Sequence, residues 1–416
     1  MRPLAALKKY KAQLGDSLWS LCGLVLMNVV AQIVLYPFLA KQLGEEGYGE
    51  LQYLLAYINI ITVSVGCAAN LARMTAPEKE RMNNGGDYNV FLLLVALLGI
   101  PFAILVKRFS GTHMDTATTV AYYGLFVAML FRYYADVCYK LTLNYRLYFV
   151  YYTIIGAGYA GGVLLFRATG IWPLAILPGE ALGVLFAYTV GPTLRKKPVT
   201  LLPAWQKAWR IIFMLCLSEG ISNVIFNADR LMLKWMVGAS AVTIYYLATL
   251  VGKTMSLVTT PLSGVLIGYL ARYEGKFSRR IMRWVLLGSL GAIALCTGVC
   301  VLGGYILLIW LYPEELEAVR PYLLLGSLAQ VVYFTTGVVT IVLIRFAKKI
   351  YQIFINGAFG LLFFGLGIPA TLRFGITGFA VAMLIAGGVR WLVAVILGYL
   401  HAFRCDKEPA ETSENT

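Results

Sequence analysis

Residues 226–238 read FNADRLMLKWMVG and follow the apolar run IIFMLCLSEGISNVI, so Asp229, Arg230 and Lys234 close a hydrophobic stretch that already holds Glu219. Glu180, Lys253 and Arg390 stand in similarly apolar company. A charge among such neighbours is costly unless it is paired, hydrated or near an interface. The chemistry open to these groups is therefore limited. The cations can offset the charge of an anion, Glu180 and Glu219 can take up a proton or bind sodium, and opposite charges can pair structurally. Lys253 has no acidic residue within one helical turn. It needs water in a ligand-lined cavity or a partner on another helix, and Glu219 is the structural alternative.

The elements that must position these groups follow from composition. Of 416 residues 60% are hydrophobic and 13% charged, and the mean hydropathy is +0.75. The charged fraction is about half that of a soluble protein, which makes the chain a polytopic membrane protein. A helix needs about 20 residues to cross the hydrocarbon. Spans are expected to begin near Ser17, Leu51, Val90, Thr116, Phe149, Trp172, Ile211, Val242, Met282, Pro321, Tyr351 and Thr377, giving twelve transmembrane helices joined by short loops. Arg2, Lys8, Lys9 and Lys11 precede the first apolar stretch, which runs on without an A-x-A-like cleavage site, so the first helix is expected to be retained.

Orientation rests on lysine and arginine. With both termini cytoplasmic, the inner segments hold 24 of the 35 basic residues and the outer loops 8. The net charge of +15 is thus a topology signal, with anionic lipid as a further partner of loops such as LRKKPV (194–199), and no nucleic-acid partner is implied. On the helical rise of about 1.5 Å per residue, Lys253 sits roughly 17 Å into its span, near mid-membrane. Asp229 and Arg230 come near the outer interface, where they suit a helix end or gate. Arg132 and Asp136 have the i, i+4 spacing of a local ion pair. Cys296 and Cys300 share a helix face without a nearby His, Asp or Glu, so no metal site is expected.

An internal repeat organises the chain. KQLGEEGYGELQYLLAY (41–57) matches KWMVGASAVTIYYLATL (234–250), the helices that follow end in LARM (71–74) and LARY (270–273), and RATGIWPLAI (167–176) matches RFGITGFAV (373–381). These matches divide the chain into an N-terminal lobe (1–192), a cytoplasmic linker (193–210), a C-terminal lobe (211–402) and a cytoplasmic tail (403–416). Six helices per lobe make the repeat parallel, with a central cavity expected between the lobes.

The run NADRLMLKWMVGASAVTIYYLATLVGKTMSLVTTPLSGVLIGYLARY (227–273), with Asp229, Arg230, Gly238, Tyr245 and Pro261, resembles the seventh and eighth helices of the oligosaccharide flippases of the multidrug/oligosaccharidyl-lipid/polysaccharide superfamily. AKQLGEEGYGELQ (40–52) is similar to their first hairpin. The resemblance implies an all-α, MATE-like fold in the bacterial inner membrane, carrying polyprenyl-diphosphate-linked oligosaccharide outward by alternating access for O-antigen or capsule. It further implies polysaccharide polymerase and chain-length partners, no cofactor, and possible coupling to a proton or sodium gradient. On this reading Lys253 and Arg390 offset the diphosphate, Glu219 and Glu180 complete the site, and Pro261 is a hinge. Asn28 and Gln32, with Asn59, Ser64 and Asn70, offer hydrogen bonds to sugars. Tyr122, Tyr123, Tyr133, Tyr134, Tyr139, Tyr145, Tyr148, Tyr151 and Tyr152 crowd the fourth and fifth helices, where an interfacial aromatic belt accounts for most of them. A small-molecule exporter on the same fold is the nearest alternative, although it favours an anionic cavity. A membrane-embedded glycosyltransferase or polymerase is the alternative of another class. For that role only Glu45 and Glu46 lie on an eligible outer loop, which is short, and the chain has just two histidines and no nucleotide-binding glycine motif.

Overall fold

The computed structural model describes residues 18–195, 199–203, 205–256, 259, 266, 278–346 and 350–407. Among these the regular structure is helical throughout. The long helices are α1 (Leu18–Thr75), α2 (Gly86–Phe109), α3 (Thr116–Ala135), α4 (Tyr145–Thr169), α5 (Pro173–Val190), α6 (Trp205–Met236), α7 (Ala239–Thr254), α8 (Arg279–Leu311), α9 (Leu316–Phe346) and α10 (Ile350–Lys407). Eight of them are long and apolar enough to cross a membrane. Their outward faces carry large apolar side chains such as Leu98, Phe109, Leu295, Trp310 and Leu361, each at least two-thirds exposed. So much exposed apolar surface requires lipid around it, and the protein is a multi-pass membrane protein.

Each expected span begins within two turns of a helix start or of a helix break. The breaks lie in α1 and α10. At about 1.5 Å per residue a 58-residue helix is nearly 90 Å long, three times the thickness of the hydrocarbon. Gly44 (φ 68°) interrupts α1 and Gly375 (φ 59°) interrupts α10. Both angles lie where residues with a Cβ are strained. The paired repeat segments share this device, since Gly170 and Gly238 also have positive φ.

A second irregularity follows from Pro37. Proline in a helix lacks an N–H and its ring clashes with the carbonyl four residues earlier. Here Ala31–Leu35 widens into a π-turn, in which the Tyr36 N–H reaches the Ala31 carbonyl, five residues back. Such turns redirect the side chains they carry.

The chain divides into two compact units, Met1–Leu231 and Met232–Thr416, the division falling within α6. In the first unit α4 packs most extensively on α5, α5 and α1 each pack on α3, and Leu35, Tyr53, Ile58, Leu125 and Ile155 form the core. Two G-x-x-x-G motifs set the α4–α5 distance. A Cβ on Gly158 would lie 2.4 Å from Gly179 Cα, one on Gly162 2.0 Å from the Ala175 carbonyl oxygen, and one on Gly183 2.6 Å from Ile155 Cγ1. Without side chains on this seam the two backbones approach closely, as is common between helices in lipid. In the second unit α9 packs on α10, α7 and α8 around a cluster that includes Met282, Val339, Leu343, Ile355 and Ala394.

At its far end from this seam, α1 closes with Arg73, which is fully buried. It donates to the carbonyls of Arg81 (3.1 Å) and Thr193 (2.7 Å) and to the Tyr134 hydroxyl (2.6 Å). Beside it Asp87 accepts from the Leu202 N–H (2.9 Å), and its carbonyl accepts from Trp209 Nε1 (2.8 Å). These bonds fasten Thr193, Leu202 and Trp209 to the end of α1 and the start of α2.

Candidate functional site

Three cavities differ in chemistry more than in size. One of about 640 Å³ surrounds the Gly375 break in α10 and is lined mainly by apolar side chains such as Leu366, Phe374, Val381 and Ile385, with Arg373 among them. Another, of about 290 Å³, lies beside Asp87 and Lys207 and belongs to the fastening just described. The third, about 380 Å³, lies within the first unit and draws polar groups from five helices, so it is the candidate site.

Its wall is built by helical spacing. Ala31 and Gln32 come from the π-turn of α1 with Asn28 before it and Tyr36 after it, and Leu55, Asn59 and Val63 come from the same helix after the Gly44 break. Arg132 and Tyr133 come from α3, Tyr159 from α4 and Glu180 from α5. Asn223, Phe226, Asn227 and Arg230 face it from α6. The two halves of α1 thus reach one cavity because the chain breaks at Gly44.

Arg132 and Glu180 are joined in a buried, forked ion pair, with Nε to Oε2 at 2.7 Å and a second nitrogen to Oε1 at 3.3 Å. Tyr159 donates to Glu180 Oε1, Tyr151 donates to the Arg132 carbonyl (3.1 Å), and the Arg132 guanidinium lies 3.8 Å from the centre of the Tyr133 ring. The glycine seam makes this possible. Tyr159 follows Gly158 and Glu180 follows Gly179, so the two residues that meet are carried by the two that allow the approach.

The Arg132–Asp136 pair expected from spacing does not form. Helix α3 ends at Ala135 and a turn at Asp136 starts a short helix over Val137–Thr142, so the i, i+4 geometry is lost. Asp136 instead binds Lys140 (3.0 Å) and accepts from Asn70 and from the Tyr148 hydroxyl (2.9 Å). The aromatic-belt expectation is also corrected. Tyr122, Tyr134, Tyr139, Tyr148, Tyr151 and Tyr152 are buried inside the unit, and Tyr122 donates to the Leu54 carbonyl (3.0 Å). The Tyr122 and Tyr151 hydroxyls donate to buried carbonyls and that of Tyr148 to the Asp136 carboxylate, while the Tyr134 hydroxyl accepts from Arg73.

Of the residues singled out from sequence, the cavity brings together Asn28, Gln32, Asn59, Arg132, Tyr133, Glu180 and Arg230. Asp229, beside Arg230, is buried, and Glu219 is half-buried one turn before Asn223 on α6. Lys253 and Arg390 belong to the second unit. Lys253 is 8% exposed and sits in the last turn of α7, where a cation suits the negative end of the helix dipole. Arg390 donates to the Tyr333 carbonyl (3.3 Å) and to Asn356 Oδ1 (3.0 Å) and lies against the rings of Tyr333 and Phe359. Pro261 lies outside the described residues, as does the LARY segment of the repeat. Spacing gave no warning of Tyr159 as a site residue, although the facing G-x-x-x-G pairs carried the signal.

Comparison with known proteins bears on this arrangement. The sequence profile described as "Polysaccharide biosynthesis protein" matches residues 14–274, more than half of the chain. No curated protein matches the sequence. Among solved structures, the chain is similar to an inward-facing multidrug resistance MATE family transporter of the MOP superfamily, with a TM-score of 0.64, 12% identity, and coverage of 94% of this chain and 100% of that one. It is similar to the lipid II flippase MurJ in an inward closed conformation, with a TM-score of 0.63, 12% identity, and coverage of 95% and 90%. The Vibrio cholerae MATE transporter VcmN in its bent form aligns with a TM-score of 0.55, 13% identity, and coverage of 94% and 98%. At these identities the likeness is one of fold.

Proposed function

The chain belongs to the polysaccharide biosynthesis protein family, and from that premise we propose that it is a flippase, moving a lipid-linked oligosaccharide across a membrane by alternating access. The observation that carries this reading is the cavity lined by polar groups from five helices inside a helical unit whose outer surface is apolar. Polar groups buried in a membrane protein cost stability unless they serve packing or passage, and five carboxamides around one cavity exceed what packing needs. MurJ, by its description, flips lipid II, a saccharide on a lipid, and the same class of cargo suits this chain. The proposed cargo is a polyprenyl-diphosphate-linked unit for surface polysaccharide such as O-antigen or capsule, carried from the cytoplasmic to the outer leaflet of a bacterial inner membrane. Lys253 is the proposed diphosphate contact, on its charge and its burial. Glu180 is committed to Arg132, so Glu219 is the better candidate for coupling to a proton or sodium gradient. A drug exporter on this fold is the second reading, favoured by the MATE likeness.

In vesicles loaded with a fluorescent polyprenyl-diphosphate oligosaccharide, the full-length protein is expected to expose the inner-leaflet label to an external quencher, faster when a gradient is imposed. Lys253→Ala is expected to slow this about 10–100-fold at normal abundance, the effect of losing a charged hydrogen bond of about 1.5–3 kcal/mol. Lipid label that stays inaccessible while a cationic dye is exported would replace the flippase by the exporter.

We also propose twelve crossings with both termini cytoplasmic, made by the eight long apolar helices, two of them divided at glycines, together with α3 and α7. Reporter fusions at Gly44, Gly111, Thr169, Ala239, Glu315 and Gly375 are expected to report the outside, and those at Gly85, Lys197, Gly275 and Glu411 the inside. A consistent reversal of either set overturns the topology.

A further inference from the structure

We propose that the cavity of the first unit binds an uncharged, hydroxyl- and acetamido-bearing sugar and turns the diphosphate away, an inference that rests on the flippase reading and narrows its substrate. The argument begins with where the amide donors go. Asn28 Nδ2 donates to the Leu24 carbonyl (2.8 Å), Asn223 Nδ2 to the Glu219 carbonyl (2.9 Å) and Asn227 Nδ2 to the Asn223 carbonyl (2.9 Å). Each acceptor is the carbonyl four residues back on the same helix. Asn223 Nδ2 also reaches Ser64 Oγ (3.2 Å), which uses that donor group further.

With one N–H of Asn28, one of Asn227 and both of Asn223 taken up, and two lone pairs on each carbonyl oxygen, these amides offer a ligand more acceptor than donor capacity. Gln32 adds another, since its Oε1 is buried without a hydrogen-bond partner. An oxygen-rich wall accepts hydrogen bonds. Sugar hydroxyls and an acetamido N–H donate them, whereas phosphate oxygens at neutral pH are almost wholly acceptors and would set lone pairs against lone pairs. The cations do not reverse this preference. Arg132 is held by Glu180 in two bonds and by the Tyr133 ring, and an incoming anion would have to break a buried pair to reach it. The Tyr133 and Tyr159 rings supply apolar faces of the kind a sugar ring covers. At about 380 Å³ the cavity is near the lower end of the range of small-molecule sites, about 300–1,000 Å³. Arg230 is the one residue of the lining that argues for an anion, and the test is built to expose it.

The test is saturation-transfer NMR on the full-length protein in nanodiscs, with the methyl glycoside of N-acetylglucosamine as probe and glucuronic acid, inorganic pyrophosphate and sodium as challengers. The expected result is binding of the neutral sugar that pyrophosphate does not displace and sodium does not alter. Gln32→Met and Asn227→Leu are each expected to weaken it at least tenfold, and Asn227→Asp, which keeps accepting oxygens, to retain it. Unchanged thermal unfolding of the variants would assign the loss to the site. The proposal is overturned by absence of sugar binding to the wild type, by tighter binding of glucuronic acid or pyrophosphate, by a signal that follows sodium, or by undiminished binding in both apolar variants. Flipping by the wild type in the vesicle assay would leave the flippase reading standing in each of those cases.

Discussion

Glu180→Ala is expected to remove most of the folded protein from the membrane. The substitution strands the Arg132 guanidinium in a site where it is 7% exposed, and breaking a buried pair from one side costs about 3–5 kcal/mol. Native stabilities of about 5–15 kcal/mol leave little margin for such a loss. Removing both charges should behave differently. Arg132→Met with Glu180→Leu replaces the pair by apolar groups, a change that is often neutral or stabilising, so abundance should recover while the cavity loses its geometry. Membrane abundance and the unfolding temperature of the purified protein decide the matter. Wild-type values for Glu180→Ala would mean that the pair holds nothing together.

Gly162→Leu is expected to be as damaging by a different route. Its new Cβ would stand 2.0 Å from the Ala175 carbonyl oxygen, and that atom is backbone on a packed helix, so α4 and α5 must part. Overpacking of this kind costs about 1–3 kcal/mol even where side chains can yield, and here they cannot. The same movement draws Tyr159 from Glu180. Gly161→Leu is the matched control, because nothing lies within 4 Å of its Cβ position. If the two variants unfold at the same temperature, the seam does not set the distance between the helices.

These two sites show what the sequence made legible and what it hid. Hydropathy located the helices, because an apolar run long enough to cross a bilayer has few other destinies. Asn28 and Gln32 were legible as polar residues in such a run, and both line the cavity. Partnership was less accessible. The i, i+4 rule that joined Arg132 to Asp136 assumes an unbroken helix, and the turn at Asp136 withdraws that assumption. Its true partner, Glu180, is 48 residues away, a distance over which only packing can decide. The tyrosines misled for a related reason: an aromatic near a span end suits an interface or a buried carbonyl equally well, and one-dimensional position cannot separate them. The π-turn was foreshadowed by Pro37, but its effect on which side chains meet needed three dimensions.

The break at Gly44 has a mechanical side. A loop of several residues between two helices works as slack, so one rod can tilt while the other stays still. A joint made at a single residue has two torsion angles and almost no play. The rods on either side of Gly44, one carrying Asn28 and Gln32 and the other Asn59, are therefore set in direction by that single residue, and with them the shape of the cavity they both border.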